Sequence, residues 1–218
     1  MSKFIKCELV DKMGTDLTVV NAARVSYAAE SKEFSERDAH LLKFLAEHHH
    51  VTPMRHPKIQ IRCDSPIFLA RQVGKHQVGF DWNEISRRYK DGDAVEVTCY
   101  IPDVILARPK SLMKDSAVPA SAELTQWAIA EIKRSYSNSV DDYLALIGAG
   151  VAPEQARMVL PQGMQTQWIW TGSLFGWANL YNQRSSEHAQ YEANLFAEEV
   201  NKIMSELFPI SWAALTNQ

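Results

Sequence analysis

Polar and apolar residues alternate most clearly over residues 58 to 63, KIQIRC. A period of two is typical of a strand with one buried face, so this segment is predicted to be a half-buried strand. Strand-like patterns also occur in residues 3 to 10, in residues 94 to 101 and in MQTQWIW at 164 to 170. These segments are expected to supply a sheet.

Helical periodicity is clear in SERDAHLLKFLAEHHH, residues 35 to 50. Ser35 is the expected N-cap, and Asp38 three residues later completes a near capping box. The apolar positions predict a buried stripe, formed by Leu41, Leu42, Phe44 and Leu45. Further helices are expected over residues 16 to 28, 121 to 147, 153 to 160, 173 to 184 and 187 to 207.

Another helix is expected directly after KIQIRC. Asp64 and Ser65 should form a turn, and Pro66 suits the first position of a helix, PIFLARQVGKHQ, that Ser65 caps. Residues 79 to 90, GFDWNEISRRYK, begin with turn formers and continue as a dense polar and cationic run. This composition predicts a loop that carries ligand-contacting groups.

The chain has 218 residues, enough for a substantial core, and no repeat or linker divides it. We therefore expect a single domain over residues 1 to 218, of the α/β or α+β class with helix in excess. Hydrophobic residues make up 46% and charged residues 22%, as in soluble globular proteins. No stretch approaches about 18 consecutive apolar residues and the first residues lack a signal-peptide core, so a cytoplasmic location is expected.

The formal net charge of −3 argues against a surface that binds duplex DNA or an anionic membrane as a whole. A phosphate ligand must therefore meet a local basic cluster. Cys7, Cys63 and Cys99 are an odd, scattered set without CxxC spacing, which argues against a disulfide framework or a zinc ribbon. Each lies in an expected strand, so all three are expected to be reduced thiols that pack as small apolar side chains.

Candidate chemistry is densest in RQVGKHQVGFDWNEISRRY, residues 71 to 89. On the expected helix two pairs of polar residues lie four apart and project together from the last turn, Arg71 with Lys75 and Gln72 with His76. Arginine is suited to bidentate phosphate recognition, and a Glu and a Ser between cations can bind a ribose or a base. The segment is either a nucleotide pocket or a solvated charged face, and composition alone leaves both open.

A second polar cluster is NLYNQRSSEHAQYE, which contains Asn179, Arg184 and His188. A helical break between Arg184 and Glu187 would expose these side chains. His188 fits a structural as well as a catalytic role, and both remain open.

Four histidines in HHHVTPMRH, residues 48 to 56, suggest a metal site. Adjacent histidines at a helix end point in different directions, and no HxxxH or HExxH spacing occurs, so no metal ligand is assigned. A metal-dependent nucleotide hydrolase built on this cluster is kept as an alternative.

Residues 71 to 89 also resemble the signature of flavin-dependent thymidylate synthases, in which Arg-His-Arg is followed after a short loop by Asn-Glu-x-Ser-x-Arg-Tyr. The tail of the signature is intact, as Asn83, Glu84, Ser86, Arg88 and Tyr89. The head differs, because Lys75-His76-Gln77 replaces Arg-His-Arg and the loop to Ser86 is one residue longer. Further matches follow in order along the chain: NAARVSY at 21 to 27, HVTPMRH at 50 to 56, SPIFLARQ at 65 to 72, EQARMVLP at 154 to 161 and R-x-x-x-H-A-Q-x-E at 184 to 192.

The resemblance implies a central mixed or antiparallel sheet flanked by helices, and an enzyme that reductively methylates dUMP to dTMP. FAD is the implied cofactor, with NADPH and methylenetetrahydrofolate as co-substrates. The reduced flavin would deliver hydride to the dUMP ring, and no cysteine nucleophile would take part. The implied partners are small molecules, not nucleic acid or membrane, and the implied assembly is a homotetramer with sites shared between subunits.

The resemblance also implies residue roles. Arg184 is the implied catalytic residue at the pyrimidine edge, where a fixed cation stabilises negative charge that develops on the ring. The implied cofactor contacts are His50, Thr52, Lys75, His76, Gln77, Glu84, Asn179 and His188. The implied dUMP contacts are Arg71, Gln72, Lys75, Glu84, Ser86, Arg88, Arg157 and Arg184.

The departures from the signature have chemical consequences. Lys75 can replace an arginine as a point charge on phosphate, but it lacks the guanidinium fork. Gln77 keeps hydrogen bonding and loses a charge, which should weaken anion binding or alter the flavin potential. Arg55 stands where a glutamate is common, and we hypothesise that it supplies the cation that Gln77 lacks.

A third alternative is a non-enzymatic nucleic-acid binder. It would use the cations Arg71, Lys75, Arg87, Arg88 and Lys90. Its affinity would fall steeply with salt, because phosphate neutralisation releases counterions. The acidic net charge argues against it.

Overall fold

The computed structural model describes residues 3–86, 97–111 and 117–216. The strands of these ranges are β1 (Lys6–Met13), β2 (Lys58–Pro66), β3 (Phe80–Glu84), β4 (Leu106–Ala107), β5 (Val118–Pro119) and β6 (Gln165–Ser173). The α-helices of the same ranges are α1 (Asp16–Arg24), α2 (Glu36–Glu47), α3 (Ile67–Val73), α4 (Ala122–Gly148), α5 (Pro153–Ala156), α6 (Leu174–Arg184), α7 (Tyr191–Leu207) and α8 (Pro209–Thr216). The mixed α/β class is therefore confirmed.

An antiparallel sheet in the order β1-β2-β6-β3 forms the centre of the fold. β2 pairs with β6 along its whole length. The period-two pattern of β2 places Ile59, Ile61 and Cys63 on one face, where all three are fully buried. The strand predicted over residues 58 to 63 is confirmed, and the expected central sheet is antiparallel.

Tryptophans of β6 lie at the centre of the core. Trp168 and Trp170 are almost completely buried, in register with Cys63 and Ile61 of β2. The ring of Trp168 stacks on Phe196 of α7, with centroids 6.0 Å apart and planes at 14°. Large aromatic surfaces of this kind dominate the energetics of a core, so this contact holds α7 on the buried face of the sheet.

The last helix, α8, is bound to the start of the chain. Asp16, at the beginning of α1, accepts hydrogen bonds from the backbone N–H groups of Ile210 and Ser211, each at 3.0 Å. The carboxylate thereby satisfies two N–H groups that have no partner within the helix, and it interacts favourably with the helix dipole. The sequence pattern did not predict α8.

Helix α2 confirms the predicted cap and corrects the predicted stripe. Ser35 is the N-cap, and the Asp38 carboxylate accepts a hydrogen bond from the backbone N–H of Ser35 at 2.9 Å. Leu42 and Leu45 are buried as predicted, but Phe44 is 48% exposed. Each residue turns a helix by about 100°, and this rotation carries Phe44 away from the stripe that faces the core.

The turn predicted at Asp64–Ser65 is wrong. Both residues and Pro66 continue β2, because β6 offers them paired partners at Gln167, Thr166 and Gln165. Pro66 rather than Ser65 is therefore the N-cap of α3.

The region after α3 also differs from its prediction. α3 ends at Val73, so Lys75 and His76 lie in the following turn and not on the last turn of a helix. Residues 80 to 84, predicted to be a loop, form the edge strand β3, because β6 provides a partner for each of them. Arg71 and Lys75 therefore do not project from the same face of one helix, although they are four residues apart.

The other predicted elements are found within a few residues of their expected bounds. α4 runs through residue 138 without the break that its polar content allowed. Of the strand predicted over residues 94 to 101, residues 94 to 96 lie outside the described ranges, and in the rest Cys99 makes an isolated bridge to Met164. Within the described ranges, no helix combines the length and apolar character needed to span a bilayer.

Candidate functional site

A cavity of about 1100 Å³ lies where α3, β3 and β6 meet the segment that precedes β6. Aromatic side chains of Phe80, Trp82 and Trp170 form part of its wall. A concave surface with aromatic faces and a few converging polar groups is typical of small-molecule sites. Six residues with an implied ligand role line this cavity, namely Arg71, His76, Gln77, Glu84, Ser86 and Arg157.

The Glu84 carboxylate is oriented by two donors. Its Oε1 accepts a hydrogen bond from the Thr166 hydroxyl at 2.6 Å, and its Oε2 accepts one from the Trp82 indole at 3.4 Å. Trp82 is itself fixed by stacking on Trp168, with centroids 4.3 Å apart. The pairing of β3 with β6 brings these groups together, so the Glu84 carboxylate has a defined orientation at the cavity wall.

Two arginines reach the cavity from different elements. Arg71 of α3 donates from Nη1 to Gln162 Oε1 at 3.2 Å, across the gap to the segment before β6. Arg157, in the 3-10 turn after α5, donates from Nε to the carbonyl oxygen of Glu154 at 3.3 Å. Both guanidinium groups keep further N–H donors, so together they can bind an anion.

Arg184 is joined to the cavity through His76. Its Nε donates a hydrogen bond to His76 Nε2 at 3.0 Å, from the last residue of α6 to the turn after α3. Burial and the neighbouring Arg184 charge lower the pKa of His76 from its ordinary value of 6.5. The imidazole is therefore neutral near pH 7 and acts as the acceptor in this pair.

Several residues with implied roles lie away from this cavity. Lys75, Asn179 and His188 are exposed, and His188 pairs with Glu187. Gln72 lies on α3 with its Oε1 buried and without a hydrogen-bond partner among the described residues. The remaining implied contacts are His50 and Thr52, exposed between α2 and β2, and Arg88, which lies outside the described residues. Their implied roles stay predictions.

Arg55 does not line the cavity in the described part of the chain. Its guanidinium carbon lies 5.5 Å from the centroid of the Phe175 ring, a cation–π contact with α6. The hypothesis that Arg55 replaces the charge missing at Gln77 gains no support from this position.

The histidines of residues 48 to 56 form surface contacts. His48 stacks on Phe44 with centroids 4.0 Å apart, and its Nδ1 lies 2.9 Å from the Phe44 carbonyl oxygen. Among the described residues, no group of three or more His, Cys, Asp or Glu side chains is placed to hold a metal ion. The metal-dependent hydrolase therefore has no ligand set in this part of the chain.

Three groups that shape the site were not predicted from the sequence. Thr166 and Trp82 hold Glu84, and Gln162 contacts Arg71. Thr166 and Trp82 lie on strands, so the period-two pattern could have placed them on faces. It could not have identified their contacts, which depend on the register between β3 and β6.

Comparison with known proteins gives consistent matches. Residues 8–210 match the family described as thymidylate synthase complementing protein. A flavin-dependent thymidylate synthase from Thermosipho africanus is 38% identical over 209 residues, which cover 94% of this chain and 88% of that protein. Another from Thermus thermophilus is 34% identical over 206 residues, which cover 94% of this chain and 73% of that protein.

A solved structure is similar over almost the whole chain. It is the UMP/dUMP methylase PolB from Streptomyces cacaoi bound with 5-Br dUMP, with a TM-score of 0.89 and 28% sequence identity. The match covers 98% of this chain and 95% of that one. The same methylase bound with 5-Br UMP matches with a TM-score of 0.86.

Proposed function

Because this chain belongs to the flavin-dependent thymidylate synthase family, we propose that it reductively methylates dUMP to dTMP. The proposed carbon donor is methylenetetrahydrofolate, and the proposed reductants are FAD and NADPH. The observation that carries the proposal is that Arg71, Glu84, Ser86 and Arg157 line one cavity, with Arg184 joined to it through His76.

The cations of the site suit a nucleoside monophosphate. Arg71 and Arg157 approach the cavity from two elements and can share the two charges of a phosphate. Ser86 and Glu84 add a hydroxyl and an acceptor for the sugar or the base. Arg184 would bind the pyrimidine edge and stabilise negative charge that develops on the ring in the transition state.

The cavity also fits a flavin. Its volume of about 1100 Å³ exceeds what a mononucleotide fills, and Trp82 and Phe80 offer aromatic faces. Gln165, which lines the cavity, has a buried Nε2 without a hydrogen-bond partner among the described residues, and a ligand acceptor would satisfy it. When bound, FAD supplies the reducing equivalents, and His76 and Gln77 are the proposed contacts with it.

A cysteine nucleophile is not part of the proposal. In the described ranges no cysteine lines the cavity. Cys63 is fully buried opposite Cys7, and burial raises the pKa of its thiol well above the ordinary value, which disfavours the reactive thiolate.

We also propose that the enzyme is a homotetramer with shared sites. In the single chain Glu84 and Arg157 remain exposed, and His50, Thr52, Asn179 and His188 lie outside the cavity. In the proposed tetramer, a neighbouring protomer brings its residues from outside the cavity to the exposed side of this cavity. Sedimentation should give four times the mass of one chain, and a fully active monomer would contradict this assembly.

The deciding experiment is conversion of dUMP by the FAD-loaded protein with NADPH and methylenetetrahydrofolate. We expect a yellow protein that forms dTMP, whereas a protein that cannot be reconstituted with FAD would contradict the proposal. UMP should be assayed in parallel, because the similar methylase from Streptomyces cacaoi acts on both nucleotides by its name.

Substitution of Arg184 by Ala should remove most turnover, since the cation that stabilises the pyrimidine charge is lost. Flavin absorbance should remain largely intact. The matched control replaces Cys7, Cys63 and Cys99 together by Ala, which can lower stability but should leave methylation measurable. Normal turnover in the Arg184→Ala variant would contradict the role of Arg184.

A further inference from the structure

The hydrogen bond between Arg184 and His76 joins two elements that are 108 residues apart in the sequence. Arg184 is the last residue of α6, and His76 lies in the turn that follows α3. Both side chains are partly buried. His76 is the part of Lys75-His76-Gln77 that keeps the residue type of the Arg-His-Arg signature, while both of its neighbours differ.

The contact determines how the guanidinium is presented. Nε–H is donated to His76 Nε2, and within the described residues the two terminal nitrogens of Arg184 have no hydrogen-bond partner. A guanidinium is planar, so one directed bond at Nε limits its rotation and directs the four terminal N–H groups as a fork. Such pre-orientation lowers the cost of binding and of stabilising charge in the transition state.

We infer that His76 is a positioning residue for Arg184, and that it acts through its neutral imidazole as a hydrogen-bond acceptor at Nε2. The effect expected on turnover rests on the proposed function, whereas the hydrogen bond between His76 and Arg184 does not depend on it. The ring must carry its proton on Nδ1, because Nε2 accepts. Nδ1–H is then the group that remains to donate to a ligand in the cavity.

The charges around the cavity favour this arrangement. Arg184 faces His76 from α6, and Arg71 of α3 and Arg157 after α5 line the same cavity. The acidic residues of the lining are Asp64 of β2 and Glu84 of β3, which are hydrogen-bonded to Gln167 and Thr166. Protonation of His76 would remove the acceptor and place a second cation against Arg184. The guanidinium would then lose its fixed direction.

The first test measures the contact without any enzymatic assay. His76 is titrated by NMR in the full-length protein labelled with ¹⁵N-histidine, and its signal is assigned from the His76→Gln variant. We expect the Nδ1–H tautomer, and a pKa that rises when Arg184 is replaced by Leu but not when Arg157 is replaced by Leu. An Nε2–H tautomer, or the same pKa in the wild-type and Arg184→Leu proteins, would overturn the inference.

The second test separates positioning from packing. Gln places an amide oxygen close to the position of Nε2, whereas Leu fills a similar volume without an acceptor. At saturating FAD and dUMP, kcat should fall about tenfold further in His76→Leu than in His76→Gln, as expected for loss of a hydrogen bond to a charged group. The acidic limb of the wild-type pH profile should be absent from His76→Gln.

Each outcome has a definite meaning. Equal losses of kcat in the two variants would overturn the positioning role, provided that flavin absorbance shows equal FAD occupancy. A wild-type protein that titrates as expected but forms no dTMP would contradict the proposed function and leave the contact established.

Discussion

At the residue scale, two residues of the family motif NAARVSY stabilise the fold through hydrogen bonds and an ion pair. In NAARVSY, the Asn21 side chain makes two hydrogen bonds to the backbone of Ser31, at 2.9 and 2.8 Å. Arg24 pairs with the Asp38 carboxylate, which is 1% exposed. These contacts fix α1 against the start of α2, so the resemblance of this segment reflects folding.

Asp38 should make stability depend on pH. The hydrogen bond from the Ser35 hydroxyl, with the Ser35 backbone N–H and Arg24, lowers the pKa of Asp38 below its ordinary value of 3.8. A depressed folded-state pKa stabilises the protein above the unfolded-state pKa, and this contribution is lost as the pH falls through the folded-state pKa.

We expect Asp38→Ala to lower the free energy of unfolding by about 0.5–2 kcal/mol at neutral pH, as for loss of a helix cap. The difference from wild type should shrink below about pH 4. Urea denaturation at a series of pH values measures it, with Glu36→Ala, an exposed residue in the first turn of α2, as control. A difference that is constant down to the lowest pH would contradict the role of the ionised carboxylate.

Thr166 should support turnover through Glu84. The hydrogen bond from its hydroxyl is the shorter of the two that this carboxylate accepts. A valine side chain has nearly the same shape as threonine but lacks the hydroxyl donor. We expect Thr166→Val to lower kcat about tenfold, because a hydrogen bond to a charged group contributes about 1.5–3 kcal/mol. Thr166→Ser keeps a hydroxyl and should lose less. Equal losses in the two variants, at equal melting temperatures, would rule out this role.

At the element scale, β6 organises the fold because it pairs with β2 on one side and β3 on the other. Gly172 of β6 permits the close approach of Phe80 on β3. A Cβ at this position would lie 2.2 Å from the Phe80 ring and 2.9 Å from Trp177 Nε1. A larger residue therefore cannot fit without displacement of the aromatic core.

We expect Gly172→Ala to destabilise the protein by about 1–3 kcal/mol, as overpacking of a core does. The control is Gly148→Ala at the end of α4, where an added Cβ meets no atom within 4 Å. Thermal unfolding compares the two variants. A Gly172→Ala protein as stable as the Gly148→Ala protein would show that β3 can move aside.

The elements that were predicted incorrectly have a common cause. Residues 80 to 84 contain turn formers and charges, and residues 64 and 65 are a polar pair before a proline. Each becomes a strand because β6 offers a paired edge. Local composition therefore indicated loops at positions where tertiary hydrogen bonds determined strands.

At the scale of the whole molecule, the cavity joins segments from α3, β3, β6 and the turn after α5. A ligand bound there should stabilise the fold by mass action. At a concentration about 100 times its Kd, the gain is about 2.7 kcal/mol. We expect dUMP to raise the melting temperature more than deoxyuridine does, because Arg71 and Arg157 are the proposed phosphate-binding residues of this cavity. Equal shifts with both ligands would contradict phosphate binding at this cavity.

The sequence by itself determined the elements whose signals are local, and the residue types of the candidate site. Periodicity predicted β2 and α4, the Ser35 and Asp38 pair predicted the start of α2, and the signature around Glu84 indicated the family. These predictions succeeded because each depends on residues within a few positions of one another.

Only the tertiary structure decided which of these side chains meet. Thr166 and Glu84 are 82 residues apart, and Arg184 and His76 are 108 residues apart. Contacts over such separations depend on the register of β3 with β6 and on where α3 and α6 end. Those features depend on which segments pair with β6 and pack into the shared core. A local pattern of residues does not contain this information.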